Sequence, residues 1–286
     1  TRGKEGLVFL GLPFSREGKL YNVAAVFENG ELLGMVPKVN IPVYGEFYEG
    51  RHFTAGNREP EQFFVGGKPV LFGANLLFSC VELPELIVGC EICEDLWVAD
   101  TPATAHALEG ATILVNLSAS NETVGKAQYR ELLVKAASAR LLCGYVYASA
   151  GEGESTQDLV FGGHNLIGEN GIILKQSRKF ENTAVFSEID VQRLSTERRR
   201  MNTFGMPSGA IYQKVSFHLT VEETLLERTF ATMPFVPSDE ETKRKRCEEI
   251  LSIQSCGLKK RYEHTGLTHA VLGLSGGLDS TLALLV

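Results

Sequence analysis

Three side chains that can do chemistry stand together in the stretch LIVGCEICEDLW, residues 86–97. Cys93 is followed directly by Glu94 and Asp95, and it comes straight after an apolar run with the length of a buried strand. Downstream, segment 100–110 has the capping residues, the proline and the final glycine of a short helix. The pattern predicts that Cys93 lies at a strand-to-helix elbow, where a nucleophile and free backbone N–H groups face one point.

Three interpretations of Cys93 are open. It can be a buried structural cysteine, because a thiol packs as a small apolar group. It can form a redox or metal pair with Cys90, although in an extended chain at ~3.3 Å per residue their Cα atoms would be roughly 10 Å apart and on opposite faces. It can also be a catalytic nucleophile, which needs a charged partner nearby.

Candidate partners come from the upstream segment PKVNIPVYGEFYEGRHF, in which Lys38 and Glu46 flank a proline-kinked loop. A lone lysine or glutamate in a loop is usually solvated. The density of aromatic side chains around these two predicts that their charges are partly desolvated instead. The aromatic residues are Tyr44, Phe47, Tyr48 and Phe53.

The composition is typical of a globular protein and argues against several other classes. The chain has 286 residues, 44% of them hydrophobic and 22% charged, with a net charge of −7. The negative charge argues against a general nucleic-acid or anionic-membrane binder, and no apolar run approaches the ~20 residues of a membrane span. Six irregularly spaced cysteines look like reduced thiols. We therefore expect a cytoplasmic globular protein.

Strand and helix patterns alternate along the first two thirds of the chain. Asn29-Gly30 and Asn170-Gly171 predict two hairpins, and the second is expected to lead to a strand over Ala184–Ile189. Between the hairpins, apolar runs and helical repeats predict a βαβ unit and hence a pair of sheets covered by helices on both outer faces. The basic cluster 198–200 sits among acids, which favours a solvated helix face.

A second domain is predicted after a linker that ends near Ser238. Ala270–Leu274 reads as a strand, followed by the loop SGGLDS and the first turn of a helix. The loop matches the G-x-S-x-G elbow of serine hydrolases, but its two adjacent glycines and its serine hydroxyls also fit a phosphate cradle. The phosphate interpretation is favoured because Asp279 offers a carboxylate that a magnesium ion could use.

Taken together, five segments resemble glutamine-dependent NAD synthetases, and they occur in the order of that family. The segments are Lys38 with PVYGEFYE, then GCEICEDLW, NLSASNETVGK, GEGESTQDLVF and LGLSGGLDS. The resemblance implies an α/β fold: a nitrilase-like α-β-β-α sandwich for the glutaminase domain, 1–190. It also implies a C-terminal extension and linker, 191–237, and the first strand, loop and helix of an ATP-pyrophosphatase-type synthetase domain, 238–286.

The resemblance also implies roles for single residues. The nucleophile falls on Cys93, the catalytic lysine on Lys38 and the family's second, structural glutamate on Glu46. The glutamine-binding residues fall on Tyr44, Ser120 and Lys126, the last of which replaces an arginine that is common in the family. The pyrophosphate-binding loop falls on Gly273, Leu274, Ser275, Gly276, Gly277, Leu278, Asp279 and Ser280. The family's general-base glutamate precedes the first hairpin, so we expect the chain to be a fragment that lacks it.

The activity implied is hydrolysis of glutamine at Cys93 to supply ammonia for the ATP-dependent amidation of deamido-NAD. Glutamine, deamido-NAD and ATP are then substrates, Mg²⁺ accompanies ATP near Asp279, and the thiol site uses no metal. A homo-oligomer is expected. The alternatives are a stand-alone amidase of the nitrilase superfamily and a non-catalytic nitrilase-like scaffold that binds a partner.

Overall fold

The computed structural model describes residues 3, 5–154, 158–207, 209–223, 225–230 and 232–286. The chain forms two compact units, Thr1–Arg228 and Thr229–Val286. Residues 155–157, which belong to the segment GEGESTQDLVF, lie outside the described residues.

The first unit consists mainly of β-strands with three α-helices in its described part. Its strands are β1 (Leu7–Arg16), β2 (Lys19–Glu28), β3 (Glu31–Pro37), β4 (Glu61–Val65), β5 (Lys68–Phe72), β6 (Leu76–Cys80), β7 (Ile87–Ile92), β8 (Ile113–Ser118), β9 (Gly144–Ser149), β10 (Leu166–Glu169), β11 (Ile172–Gln176) and β12 (Gln213–Phe217). Its helices are α1 (Pro102–Leu108), α2 (Lys126–Arg140) and α3 (Val191–Arg200).

The strands form two sheets. The five-stranded sheet has the order β1-β2-β3-β5-β4, and the seven-stranded sheet has the order β11-β10-β9-β8-β7-β6-β12. In the larger sheet β7, β8 and β9 are parallel, because α1 and α2 make the crossovers between them. Parallel strands end at the same edge of a sheet, so the residues that follow β7, β8 and β9 meet there.

An apolar core holds the two sheets together. Ala24 and Val26 of β2 face Phe78 of β6 and Val88 of β7, and all four are buried. The alternate residues of β2 point to the other face of the five-stranded sheet, as the period of two requires. On the far side of the seven-stranded sheet, α1 and α2 pack over a second core. The predicted sandwich of two sheets is confirmed, and the described residues hold three of its four expected layers.

Local turn signals predicted the hairpins correctly. Asn29-Gly30 joins β2 to β3, and Asn170-Gly171 joins β10 to β11. All four turn residues have positive φ, between 45° and 89°, as a type I′ turn requires. The predicted strand over Ala184–Ile189 was wrong, because these residues have no regular secondary structure and pair with neither sheet.

Helix α2 buries Ala137 against the sheet but leaves other apolar side chains at the surface. Tyr129 and Leu132 are more than half exposed, whereas Arg130 is fully buried and forms an ion pair of 2.7 Å with Glu122. The charge of Arg130 is compensated by that pair, so the helix can turn a guanidinium inward and leave apolar side chains at the surface.

The cluster 198–200 was expected to form a solvated helix face, and this was wrong for Arg198. Its guanidinium donates to the carbonyl oxygens of Leu141 and Leu142 after α2, and of Ala107 and Ala111 at the end of α1, at 2.6–3.4 Å. The last carbonyls of a helix have no partner within the helix. One side chain of α3 therefore caps the C-terminal ends of two other helices.

Replacing Arg198 by Ala should lower the free energy of unfolding by about 2–4 kcal/mol, because carbonyls that are shielded from water lose their donor. Arg199 is exposed and contacts Thr196 of its own helix, so Arg199→Ala should stay within about 0.5 kcal/mol. Urea denaturation followed by the fluorescence of Trp97, the single tryptophan, measures both. Equal effects of the two variants would contradict the capping role.

The second unit contains α4 (Glu240–Thr265) and α5 (Leu278–Leu285). The strand predicted over Ala270–Leu274 is not formed, because a strand needs a hydrogen-bonding neighbour and no part of the described chain pairs with this segment. No helix in the described part of either unit is both long enough and apolar enough to cross a membrane.

Candidate active site

Cys93 lies at the elbow that the sequence predicted. Strand β7 ends at Ile92, and a 3-10 turn over Cys93–Leu96 follows at once. Cys93 has a φ of +48°, which is strained for a residue with a side chain. Its N–H donates to Oδ1 of Asn116 on the neighbouring strand at 3.1 Å, and this bond helps to hold the strained conformation.

The two cysteines of the C-x-x-C motif have different surroundings. Cys90 is buried within the sheet core, and burial raises the pKa of its thiol well above the ordinary value. Cys93 is partly exposed and lines a cavity. All six cysteines are free thiols, so the disulfide interpretation of Cys90 and Cys93 is not supported.

Lys38 reaches the site from the other sheet. It directly follows β3 and is 2% exposed. Its ammonium forms an ion pair with Glu49, which also accepts a hydrogen bond of 2.7 Å from the Asn22 amide. A buried lysine needs such a partner, because an isolated ammonium inside a protein is very costly.

Glu46 was predicted to be the structural glutamate of the site, but the contact with Lys38 is made by Glu49. Glu46 instead accepts a hydrogen bond of 2.6 Å from the Asn121 amide. Its pKa is lowered by a bond from its own backbone N–H and by the Asn121 bond. Two glutamates three residues apart in one loop cannot be distinguished by spacing. The 3-10 turn over Glu49–Arg51 decides which of them faces Lys38.

Two cavities meet at Cys93. The larger one, of about 710 Å³, has a lining that includes Lys38, Glu49, Phe53, Cys93, Ser149 and Phe161. The smaller one, of about 310 Å³, contains the three residues predicted to bind glutamine and both acids that flank them. Its lining is Tyr44, Glu46, Phe47, Cys93, Glu94, Trp97, Ser120, Thr123 and Lys126. The predicted nucleophile and the predicted substrate contacts therefore share one cavity.

Lys126 is the cation of the smaller cavity. Its ammonium lies 5.4 Å from the ring centres of both Phe47 and Trp97, and it donates to Oδ1 of Asn121. Burial lowers its pKa below the ordinary value. Because Asn121 also donates to Glu46, one amide holds a positive and a negative group at the cavity wall.

Tyr44 closes another side of the smaller cavity. Its hydroxyl donates to Oε1 of Glu94 at 2.7 Å, and its ring packs edge-on against Phe47. Burial, and next the bond to Glu94, raise the pKa of Tyr44 to about 12. Tyr44 is therefore a neutral donor at physiological pH, and Glu94 is held beside the thiol.

A buried polar network supports the elbow from behind. Asn116, which holds the Cys93 N–H, also contacts Ser118 and donates to the Tyr145 hydroxyl at 3.3 Å. That hydroxyl donates to Glu91, whose other oxygen accepts the N–H of Ala103 in the first turn of α1 at 2.9 Å. Burial raises the pKa of Glu91 to about 7.

The sequence did not predict that Glu49 pairs with Lys38, that Glu94 binds the Tyr44 hydroxyl, or that Asn116 holds the Cys93 N–H. A signal existed for Asn116, because it lies near the C-terminal end of β8, beside the end of the parallel strand that leads to Cys93. Glu94 was noted as an acid beside the thiol, but its bond to Tyr44 spans 50 residues and no local pattern predicts it.

The loop SGGLDS lies in the second unit and is exposed. The hydroxyls of Ser275 and Ser280 are 3.1 Å apart, and Gly276 has a φ of +79° with open space beside its Cα. Helix α5 begins directly after Gly277. Hydroxyls, a flexible backbone and a helix N-terminus at one point fit a phosphate group.

Comparison with known proteins agrees with this geometry. The model of the carbon-nitrogen hydrolase family matches residues 4–199, and the chain belongs to that family. It is 40% identical over 290 residues to the glutamine-dependent NAD(+) synthetase of Mycobacterium tuberculosis, covering 98% of this chain and 43% of the relative.

Solved structures of glutamine-dependent NAD(+) synthetases are also similar to this chain. The glutamine-dependent NAD(+) synthetase of Cytophaga hutchinsonii matches with a TM-score of 0.53 and 32% identity, covering 60% of this chain and 27% of the other. That of Acinetobacter baumannii, in complex with ADP, matches with a TM-score of 0.53 and 26% identity, covering 66% of this chain and 32% of the other. The chain spans less than half the length of the curated relatives that it matches.

Proposed function

We propose that this chain carries the glutaminase site of a glutamine-dependent NAD(+) synthetase, EC 6.3.5.1, in which Cys93 attacks the side-chain amide of glutamine. The observation that carries the proposal is the single cavity that joins Cys93 to a cation, a hydroxyl donor and two aromatic walls. The likeness to NAD synthetases over nearly the whole chain supports the choice of substrate.

The residues suggest how the first steps proceed. The Cys93 sulfur bonds to the amide carbon, and the oxyanion is held by Lys38 and by the N–H of Glu94, since the N–H of Cys93 is already bonded to Asn116. The thiol proton passes to a general base and from it to the amide nitrogen, so that the C–N bond breaks and ammonia leaves. Water hydrolyses the thioester to glutamate and restores the thiol.

Substrate selection comes from the smaller cavity. We propose that Lys126 and Ser120 bind the α-carboxylate of glutamine. Tyr44 would offer its hydroxyl to the same bound glutamine from another side of the cavity. Lys126 supplies a single point charge where an arginine would supply two parallel hydrogen bonds, so the orientation of the carboxylate depends more on the aromatic walls and on Ser120.

The second unit would contribute the ATP site. We propose domain limits of 1–190 for the glutaminase domain, 191–237 for its extension and 238–286 for the start of the synthetase domain. Ser275, Gly276, Gly277 and Ser280 would hold phosphate groups of ATP, with Mg²⁺ near Asp279. ATP would activate deamido-NAD for attack by ammonia. We further propose a cytoplasmic homo-oligomer.

The full-length protein tests this proposal when it is given deamido-NAD, ATP, Mg²⁺ and glutamine. We expect one NAD and one glutamate per turnover, measured by chromatography. Simple aliphatic amides should be poor ammonia donors, because they lack the carboxylate that Lys126 would bind. Rapid hydrolysis of such amides without NAD formation would identify a stand-alone amidase instead. No turnover of any amide would favour a binding scaffold.

A further inference from the structure

The two central groups of the site come from different layers of the fold. Lys38 follows β3 of the five-stranded sheet, and Cys93 follows β7 of the seven-stranded sheet. Their separation therefore depends on how the two sheets are fixed to each other at this edge. Apolar packing between sheets is not directional, so hydrogen bonds are needed to set a spacing within fractions of an ångström.

Asp95 makes those bonds. Its Oδ1 accepts the backbone N–H of Asn40 at 2.9 Å and the side-chain amide of Asn40 at 2.8 Å, and its Oδ2 accepts the N–H of Ile92 at 3.0 Å. Asn40 is two residues beyond Lys38, and Ile92 directly precedes Cys93. One carboxylate thus joins the loop that carries the lysine to the elbow that carries the thiol.

We propose that Asp95 is a positioning residue that sets the distance between Lys38 and Cys93 across the two sheets; the inference rests on the proposed glutaminase function. Asp95 is 1% exposed and lines neither cavity at Cys93, so it acts through its neighbours and does not touch substrate. A carboxylate that is fully buried is stable when several N–H donors satisfy it, and three do so here.

Asp95→Asn in the full-length protein tests the proposal. The amide offers one acceptor oxygen and one NH2 group, and in either orientation the NH2 group faces an N–H donor. One of the two links is then lost. We expect kcat for glutamine hydrolysis to fall by about 10²-fold, because a small misplacement of reacting groups lowers the rate by about this factor. KM for glutamine should stay within about threefold, because the residues of the smaller cavity are unchanged.

A second measurement reports the geometry without substrate. Iodoacetamide alkylation of Cys93 at pH 7, followed by peptide mass spectrometry, should be at least about fivefold slower in Asp95→Asn, because the thiolate loses the nearby ammonium of Lys38. If this variant folds poorly, Asn40→Ala replaces it. That change removes one of the three hydrogen bonds and keeps the two from the backbone N–H groups of Asn40 and Ile92, so a smaller fall in kcat at unchanged KM is expected.

Glu169→Gln is the matched control. Glu169 is 3% exposed and accepts hydrogen bonds from Arg228 and from the N–H of Asp190, none of which lines either cavity at Cys93. It should lose stability while keeping kcat and the alkylation rate of Cys93. Equal losses of kcat in both variants, or unchanged kcat and alkylation in Asp95→Asn and Asn40→Ala, would overturn the inference. Failure of the proposed function is recognised separately, because the unsubstituted full-length protein would then form no NAD with glutamine as nitrogen donor.

Discussion

Cys93→Ala should abolish glutamine-dependent NAD formation in the full-length protein, with a loss of at least about 10³-fold, while free ammonium still supports the reaction. Cys93 and the SGGLDS loop belong to separate compact units, so removing the thiol should leave the residues around Ser275 unchanged. NAD formation with either nitrogen source, measured under otherwise equal conditions, separates the two half-reactions.

Cys90→Ala provides the control for this experiment. Cys90 lies three residues before Cys93, inside strand β7, and is 1% exposed, so its substitution removes a thiol without changing the cavity. We expect a modest loss of stability and nearly full activity with glutamine. Loss of activity with ammonium in a folded Cys93→Ala protein would contradict the assignment of two sites, and retained activity with glutamine would exclude Cys93 as the nucleophile.

The second large effect is expected at Glu49. Glu49→Gln keeps the shape of the side chain but leaves the buried ammonium of Lys38 without its carboxylate partner. The lysine side chain would then no longer be held in place, and it could no longer stabilise the oxyanion. We expect kcat for glutamine hydrolysis to fall by about 10²-fold or more. KM should change little, since Glu49 does not line the smaller cavity.

Glu46→Gln is the matched comparison, three residues away in the same loop. Its side chain is partly exposed and its carboxylate accepts from a neutral amide, so glutamine hydrolysis should stay within about fivefold of the parent. Steady-state kinetics of both variants decide the assignment. If Glu46→Gln lowered kcat more than Glu49→Gln, the ion pair between Lys38 and Glu49 would serve stability only. Glu46 would then be the glutamate that catalysis requires.

Local chemistry made much of this fold predictable. The Asn-Gly turns, the apolar strands and the proline at the start of α1 act over a few residues, so the sequence alone locates them. The elbow at Cys93 was predictable for the same reason. The strand over Ala270–Leu274 failed because its formation depends on a neighbour that the local pattern cannot supply.

The site was less predictable wherever a bond spans a long stretch of chain. Arg198 caps carbonyls 56 to 91 residues away, and its sequence neighbours gave the opposite expectation. Local sequence also could not show that Glu49, and not Glu46, contacts Lys38. Their types and aromatic surroundings are alike, and the choice between them follows from the direction in which one 3-10 turn points.

The origin of Lys38 and Cys93 in separate sheets has a consequence for biogenesis. A nascent or partly folded chain can form its hairpins early, but the lysine and the thiol are 55 residues apart and meet when the sheets close on each other. Until then Cys93 has no lysine side chain from the other sheet beside it. Under the proposed function the complete site therefore exists only in molecules that have finished folding, and the rate at which Cys93 is labelled would report that last step.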